Sequence, residues 1–540
     1  MRMLAGVAAT TICLGAAWWS RLPVAADDPQ AGEEEIHRAP GAATAGKPAV
    51  RDPTNRGMLR LTILDAATRQ PTFARLNVVG ADGNYYEPDE NPLAPWSLHR
   101  LGNRLGKGPF RYYGWFFYGG GTLDLHVPPG AVRVEAWKGF EHLPVTLRTT
   151  VAAGCTAELS VELQRVSFMG MNGMTMHSGD THIHLDRRNA TDDARCLDLA
   201  EAEDIEFEHI LCMNDPRSYQ PTMDQQLHPQ LRGMGKSSEV ARGRYQIASG
   251  QEYRANTYGH ICLVGGSRLV EAELSRNPNN WPPFGVVAAE LHGIGGYAFH
   301  AHGGYGKEIY ADLAQRATDG VELLQFAEYR DVGLEGWYHI LNAGLRFPAV
   351  GASDYPYCRA LGDCRTYVLT RGANPTFQEW DRAAAEGRSF FTTGPLLWLF
   401  SGEHFPGDTL ALPPEGSELP FRIRMQSPVV PVEELQLIEG GVVRERLKLA
   451  PETDVRHQHQ RDFMVWEVRL PLKRSTWVAA RALARSPGGR EDVEAHTNPV
   501  YIKVGDTSPV RRESVEWLLK KLDERIAVNA ARSFEERALM

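Results

Sequence analysis

The sequence predicts a multidomain chain of mixed α/β and β class, a β/α barrel flanked by N-terminal and C-terminal β-sandwich domains. Three observations carry this. At 540 residues the chain is too long for one typical domain. Strand-like alternation without helical segments fills 57–166 and returns over 399–505. Between them, over 170–398, apolar strands alternate with helical patterns, as in a parallel α/β barrel.

Positions 1–26 read as a signal peptide. Arg2 gives a short positive start, Leu4 to Trp19 an apolar stretch, and Val24-Ala25-Ala26 a small-residue cleavage site before Asp27. An uncleaved anchor is the other reading, but the stretch is short for a membrane span. An exported protein, periplasmic or secreted, is therefore expected. Cleavage removes Arg2 and Arg21 and no acid, taking the formal charge to −9 − 2 = −11. With no long basic run, that balance argues against nucleic acid or an anionic membrane surface as partner and leaves a small-molecule substrate. Of seven cysteines, Cys13 lies in the signal. An oxidising compartment permits disulfides, and Cys358 with Cys364 can close a small loop; buried free thiols are the alternative.

Residues 27–56, rich in Asp, Glu, Ala, Gly and Pro, read as a flexible linker. Strands are expected at Leu59–Leu64, Gly121–Val127, Val132–Ala136 and Ala157–Leu163, with Pro128-Pro129-Gly130 as a turn. Strands so spaced suggest a small antiparallel sandwich. Their order resembles the carboxypeptidase-regulatory-like or transthyretin-like modules of exported enzymes. The aromatic run Tyr112 to Tyr118 reads as core or interface filler, and no metal ligand is expected from this domain. In the central segment the strands are Thr181–Leu185, Phe207–Met213, Tyr245–Ser249, Ile261–Val264, Gly296–His300, Val321–Gln325 and Pro348–Gly351. Helical patterns lie at Asp192–Ala202, Ile309–Ala317 and Glu335–Ala343. The tail, 506–540, carries Val515, Leu518, Leu519, Leu522 and Ile526 at helical spacing, a helix that docks on a domain or forms a dimer contact.

The sharpest chemical signal is Gly179-Asp180-Thr181-His182-Ile183-His184. Strand alternation places both imidazoles on one face and Ile183 in the wall, which makes half of a metal site. An isolated His-x-His proves little, but later strands end in Gly250-Gln251-Glu252, His300-Ala301-His302 and Gly351-Ala352-Ser353-Asp354, while Gly259-His260 opens another. Barrel enzymes gather catalytic residues at the carboxyl ends of strands, so these groups should meet at one mouth. Alternation puts His300 on the same face as His302, as a further ligand or a neighbour. His177, His209 and His292 match no motif, His457 and His459 read as a solvated loop, and His496 is a weak candidate from the C-terminal domain. No Gly-x-Ser-x-Gly elbow occurs, and Gly235-Lys236-Ser237 lacks the earlier glycine of a phosphate loop.

As an ordered set, these phrases, with Gly-Gln-Glu-x₆-Gly-His, Gly387-Arg388-Ser389-Phe390-Phe391-Thr392-Thr393-Gly394-Pro395 and Ala495-His496-Thr497-Asn498-Pro499-Val500-Tyr501, resemble the CehA/McbA metallohydrolases. These are the carbaryl-hydrolase-type branch of the PHP (polymerase and histidinol phosphatase) superfamily. The resemblance covers roughly 170–500 and implies a distorted PHP-type β/α barrel with a metal cluster. It carries over His182, His184, Glu252, His302 and Asp354 as ligands, and His260 less directly, with Asp354, His302 and His260 as the catalytic candidates. Two phrases depart. The family's Thr-Asp-His falls on Leu211-Cys212-Met213, and its Ser-Asp-x-His reads Ser353-Asp354-Tyr355-Pro356. One or two divalent ions, zinc, manganese or iron, are expected rather than three. Cys212 is a soft donor by chemistry, though a buried structural thiol is the simpler reading. The implied reaction is hydrolysis of an ester, carbamate or amide by a metal-activated water. A phosphoesterase, with Arg187, Arg188 and Arg365 as candidate phosphate binders, and a non-catalytic binding protein are the alternatives.

Overall fold

The computed structural model describes residues 46–48, 56–98, 115–166, 173–213, 231–255, 257–270, 282–305, 308–358, 360–449, 464–485 and 491–530. The signal peptide, almost all of the linker, the Tyr112 end of the aromatic run, His457, His459 and positions 531–540 lie outside the described residues. The chain divides into two units, Met1–Ile36, also outside them, and His37–Met540, which holds everything below.

The first strands build two sheets on a shared core. β1 (Gly57–Asp65) lies between β4 (Thr122–Val127) and β7 (Thr156–Leu163), while β2 (Phe73–Val79) pairs β3 (Phe117–Gly120) and β5 (Gly130–Trp137), and β5 pairs β6 (Val145–Val151). Alternation does the sorting: Leu59, Leu61 and Ile63 point inward, as do Leu123, Leu125 and Val127, while Arg60 and Asp124 pair on the outside. The expected sheet was antiparallel, yet β1 and β7 run parallel over eight paired residues. They are the first and last strands of this segment, and the intervening strands supply the long connection that parallel pairing needs. Trp115, Phe116, Phe117 and Tyr118 are core, as the sequence suggested for that run.

The central segment strings its strands into one continuous ladder. β8 (Met174–Ile183) pairs parallel with β9 (Phe207–Met213), and β9 with β10 (Tyr245–Ala255). β10 turns back antiparallel to β11 (Gly259–Val264), and β11 to β12 (Tyr297–His300). β12, β13 (Gly320–Gln325) and β14 (Ala349–Gly351) follow in parallel. Just past β14, Tyr355 bridges to Ile183 at the end of β8, so the last of these strands returns to the first. The intervening helices are α1 (Ala190–Ala202), α2 (Phe284–Gly293), α3 (Ile309–Gln315) and α4 (Gly333–Asn342). Asn189 caps α1, its side chain accepting from the amides of Thr191 and Asp192.

On the other edge of β8, β15 (Arg365–Arg371) pairs antiparallel, and leads through α5 (Phe377–Ala385) to β16 (Ser389–Thr392). β16 carries the ladder into the C-terminal strands: β18 (Glu491–Thr497) pairs with β16 and with β17 (Thr476–Arg485). The molecule is thus β-rich and built of several sheets. The terminal helix α6 (Arg512–Ala530) docks through Trp517, which stacks on His339 at 4.7 Å. That contact sets its rotation, and two residues of the expected apolar face, Leu519 (56% exposed) and Ile526 (58%), remain in solvent. Among the described residues no helix is long and apolar enough to cross a membrane.

Candidate metal centre

β8 delivers the two histidines of the His-x-His phrase, with Ile183 buried between them on the opposite face. Asp180 anchors the phrase: its Oδ1 accepts from the amides of His182 and Ser353, both at 3.1 Å. The amide of His184 donates to the carbonyl of Tyr355 at 2.7 Å. The end of β8 and the segment after β14 are therefore held together, and each carries candidate ligands.

The Nε2 atoms of His182 and His184 face each other at 3.1 Å. Each ring has its Nδ1 occupied elsewhere, His182 on Glu322 Oε2 at 2.8 Å and His184 on the carbonyl of Leu211 at 3.0 Å. Rings that donate through Nδ1 turn Nε2 inward, and although burial opposes a charge on His182, the neighbouring Cys262, Glu322 and Asp354 hold its imidazole well above the usual range. That setting favours positive charge at the pair. Asp354 Oδ1 lies 3.4 Å and 3.3 Å from the two nitrogens, and Glu252 reaches them at 3.7 Å through Oε1 and 3.4 Å through Oε2. Donor atoms of His182, His184 and Glu252 form one group with metal-ligand spacing; those of His182, His302 and Asp354 form a second, and those of Glu252, His260 and His302 a third.

His302 and Asp354 sit at φ 51° and 57°, left-handed positions that only a constrained backbone holds in non-glycine residues. His302 donates from Nδ1 to Gln325 Oε1 at 2.6 Å, and His260 Nδ1 lies 2.7 Å from Glu252 Oε1. Burial opposes ionisation of Glu252, yet His260, His182 and His302 hold its carboxyl well below the usual range. Asp354 behaves alike: burial raises it, and the imidazoles of His182, His184 and His302 outweigh that. Burial pushes His260 down to about 4, against the pull of Glu252. The carboxylates thus stay charged where an apolar setting would neutralise them.

No family model matches the chain, and no curated protein matches it. Among solved structures, PsfC from Pseudomonas syringae PB-5123 aligns at 16% identity over 40% of this chain and 90% of its own, with a TM-score of 0.26. The lesion-specific endonuclease PfuEndoQ from Pyrococcus furiosus aligns at 13% identity over 39% of this chain and 56% of its own, TM-score 0.25. The minor pilin GBS52 of Streptococcus agalactiae aligns at 11% identity over 22% of this chain and 48% of its own, TM-score 0.15. Likenesses this slight carry no argument about fold or function.

All six sequence-predicted site residues, His182, His184, Glu252, His260, His302 and Asp354, come together in this one cluster. Among the described residues, the other candidate histidines go elsewhere. β12 ends at His300, and the left-handed turn at His302 breaks the alternation assumed for the pair, so His300 faces Asp312 of α3 at 3.1 Å. His177 pairs with Glu206, His209 with Asp381 and His292 with Asp319. His496 is buried between Tyr338, Trp337 and Phe391. Arg187 is held by Asp193 and Ser249, Arg188 by Asp192, and Arg365 by the carbonyls of Gly362 and Glu203. No disulfide joins Cys358 to Cys364, and Cys212 is buried with its thiol on the carbonyl of Gly250.

Sequence reasoning missed four residues. Glu322 and Gln325 of β13 anchor His182 and His302, Cys262 Sγ sits 3.3 Å from His182 Nδ1, and Arg254 Nε donates to His260 Nε2 at 3.2 Å. The available signal was polarity inside apolar strands, since Glu322 and Gln325 interrupt Val321–Gln325, and Arg254 lies two residues beyond Glu252 on one strand face.

Proposed function

We propose that the chain is an exported metal-dependent hydrolase of the CehA/McbA type, acting on an ester, carbamate or amide bond. The observation that carries this is the pair of inward Nε2 atoms 3.1 Å apart, flanked by two carboxylates. The return of the strand ladder from Tyr355 to Ile183 supports a distorted PHP-type barrel over 170–398, between sandwiches at 57–166 and 399–505. His182, His184, Glu252 and Asp354 would hold a divalent cation, and Glu252, His260 and His302 offer donors for a second. Such a cation, when bound, would supply Lewis acidity and would acidify water from a pKa of about 16 to about 7.

The residues of the chain do the rest. Asp354 turns Oδ1 to the imidazole pair and leaves Oδ2 4.0 Å from His302 Nδ1, placed to accept a proton from the attacking water. Tyr357 packs edge-on to His184 at 6.1 Å, and Tyr305, 39% exposed, packs edge-on to His260 at 5.6 Å. Two aromatic walls beside the cluster suit a flat apolar substituent and keep bulk water from it. The phosphoesterase reading is weaker, because the arginines it called on, Arg187, Arg188 and Arg365, are engaged elsewhere.

Metal analysis of the purified protein, followed by a screen of ester, carbamate, amide and phosphoester substrates, tests this reading. Metal with carboxyl-derivative turnover is expected, with His184→Ala and Glu252→Ala losing both and His457→Ala losing neither. Phosphoester turnover alone would select the superfamily's other chemistry, and equal metal content with no turnover in every variant would leave a binding protein. N-terminal sequencing of exported protein should start near Asp27; a full-length cytoplasmic chain would remove the export proposal.

A further inference from the structure

The four imidazoles of the cluster are not equivalent. His182, His184 and His302 turn Nδ1 outward, to Glu322 Oε2, the Leu211 carbonyl and Gln325 Oε1, which leaves each Nε2 facing inward. His260 is reversed. Its Nδ1 faces inward, 2.7 Å from Glu252 Oε1 and 3.0 Å from His302 Nε2, while its Nε2 takes the Nε proton of Arg254 at 3.2 Å. Arginine is a donor only and does not deprotonate in proteins. His260 Nε2 must therefore carry the lone pair and Nδ1 the proton, and a nitrogen bearing a proton cannot ligate a metal. That same N–H occupies the inward lone pair of His302, so two of the three donors in the Glu252, His260 and His302 group are consumed by one hydrogen bond network.

The position of Arg254 is built in. It shares a face of β10 with Glu252, two residues earlier, and its Nη1 contacts Met213 Sδ of β9 at 3.0 Å. Its fixed positive charge lies behind His260 and opposes a second cation on the far side of the ring.

We infer that Arg254 is a positioning residue that locks His260 as a hydrogen-bond donor to Glu252 and His302, so that the centre holds a single divalent cation on His182, His184, Glu252 and Asp354. This rests on the metal reading above and narrows it from one or two ions to one.

Zinc titration of the full, metal-stripped chain, with stoichiometry by elemental analysis after gel filtration, tests it. Wild type should bind one equivalent, and His260→Ala should still bind one with affinity within about threefold, whereas His184→Ala should lose about 10- to 100-fold. Arg254→Met removes the donor, frees His260 to present a lone pair, and should gain a second equivalent. An Arg254→Met that stays at one equivalent overturns the role given to Arg254. Two equivalents in wild type, one of them lost in His260→Ala, overturns the inference and leaves the metal reading standing. No equivalent in wild type overturns both. Cobalt-loaded wild type should give the paramagnetic spectrum of an isolated ion, and a spin-coupled pair would contradict it. If Arg254→Met does not fold, the His260→Ala stoichiometry and the cobalt spectrum decide.

Discussion

Glu322 is fully buried, and its two oxygens accept from Thr181 Oγ1 at 3.1 Å and His182 Nδ1 at 2.8 Å. A carboxylate in that place orients the ring, sets its tautomer and raises the basicity of Nε2. Glu322→Gln keeps the volume and removes the charge, and zinc affinity is expected to fall about 10- to 100-fold. Unchanged affinity would show that His182 is oriented by something else. His496 is expected to govern acid sensitivity instead. Burial, with Arg481 near, pushes its imidazole down to about 3, and its neutral form accepts from Tyr338 Oη at 2.7 Å while Nδ1 donates to the carbonyl of Thr497. The unfolded chain takes up this proton below about pH 6.5 and the folded chain does not, so stability is full above that pH and falls as the pH drops. At pH 5 the loss from this one group is about 2 kcal/mol. The pH dependence of the urea midpoint, compared between wild type and His496→Gln, measures it; parallel curves would discount the residue.

Among the elements, α5 is started by a reciprocal cap, Thr376 accepting from the amide of Glu379 while Glu379 accepts from the amide of Thr376. Its Trp380 packs against β8, where Nε1 donates to the carbonyl of His177 at 3.1 Å. Gly179 makes room for it, since a Cβ there would stand 2.3 Å from Trp380 Cζ2 and 3.0 Å from the carbonyl of Phe207. Gly179→Ala must therefore push α5 or bend β8 three residues before His182. Overpacking of this kind costs about 1–3 kcal/mol, and weaker zinc binding should accompany it. Thermal melting and zinc titration check the pair; a variant that matches wild type in both would show that the contact yields freely.

Across the whole molecule, the two flanking segments are attached differently. The N-terminal sheets meet the last turn of α1 and the residue that follows it through side chains: Thr72 donates to Glu201 at 2.7 Å, Arg75 lies 3.3 Å from Glu203, and Tyr118 Oη donates to the same Glu203 carboxylate at 2.9 Å. The C-terminal strands instead share a backbone ladder with the central ones through β16 and β18, reinforced by Glu494, which receives Arg481 through two hydrogen bonds and Tyr329 at 2.7 Å. Losing a ladder unpairs backbone groups, while losing a side-chain interface exposes groups that water can solvate. The fragment 170–540 is therefore expected to fold with a lowered midpoint and undiminished zinc stoichiometry, whereas 1–400 should be insoluble. A folded 170–540 without zinc would place a ligand in the N-terminal segment, and a soluble, metal-binding 1–400 would sink the distinction.

Much of the candidate site was legible in the sequence because ligands at strand ends obey local rules. Alternation put His182 and His184 on one face, and the polar ends of apolar strands marked Glu252, His302 and Asp354 in the order their strands deliver them. The β-rich texture of the flanks was equally local. What alternation could not reach was anything decided by pairing between distant strands. The parallel match of β1 and β7 depends on where the chain returns, and His300 parted from His302 because a left-handed residue ended the alternation. Glu322, Gln325 and Arg254 carry no motif, because their meaning is a hydrogen bond to an imidazole supplied by another strand. Sequence by itself determined which residues were available to bind a metal. Which nitrogen of each histidine faces the centre was decided only by the tertiary structure, because a tautomer is set by the partner of the opposite nitrogen and that partner arrives from elsewhere in the chain.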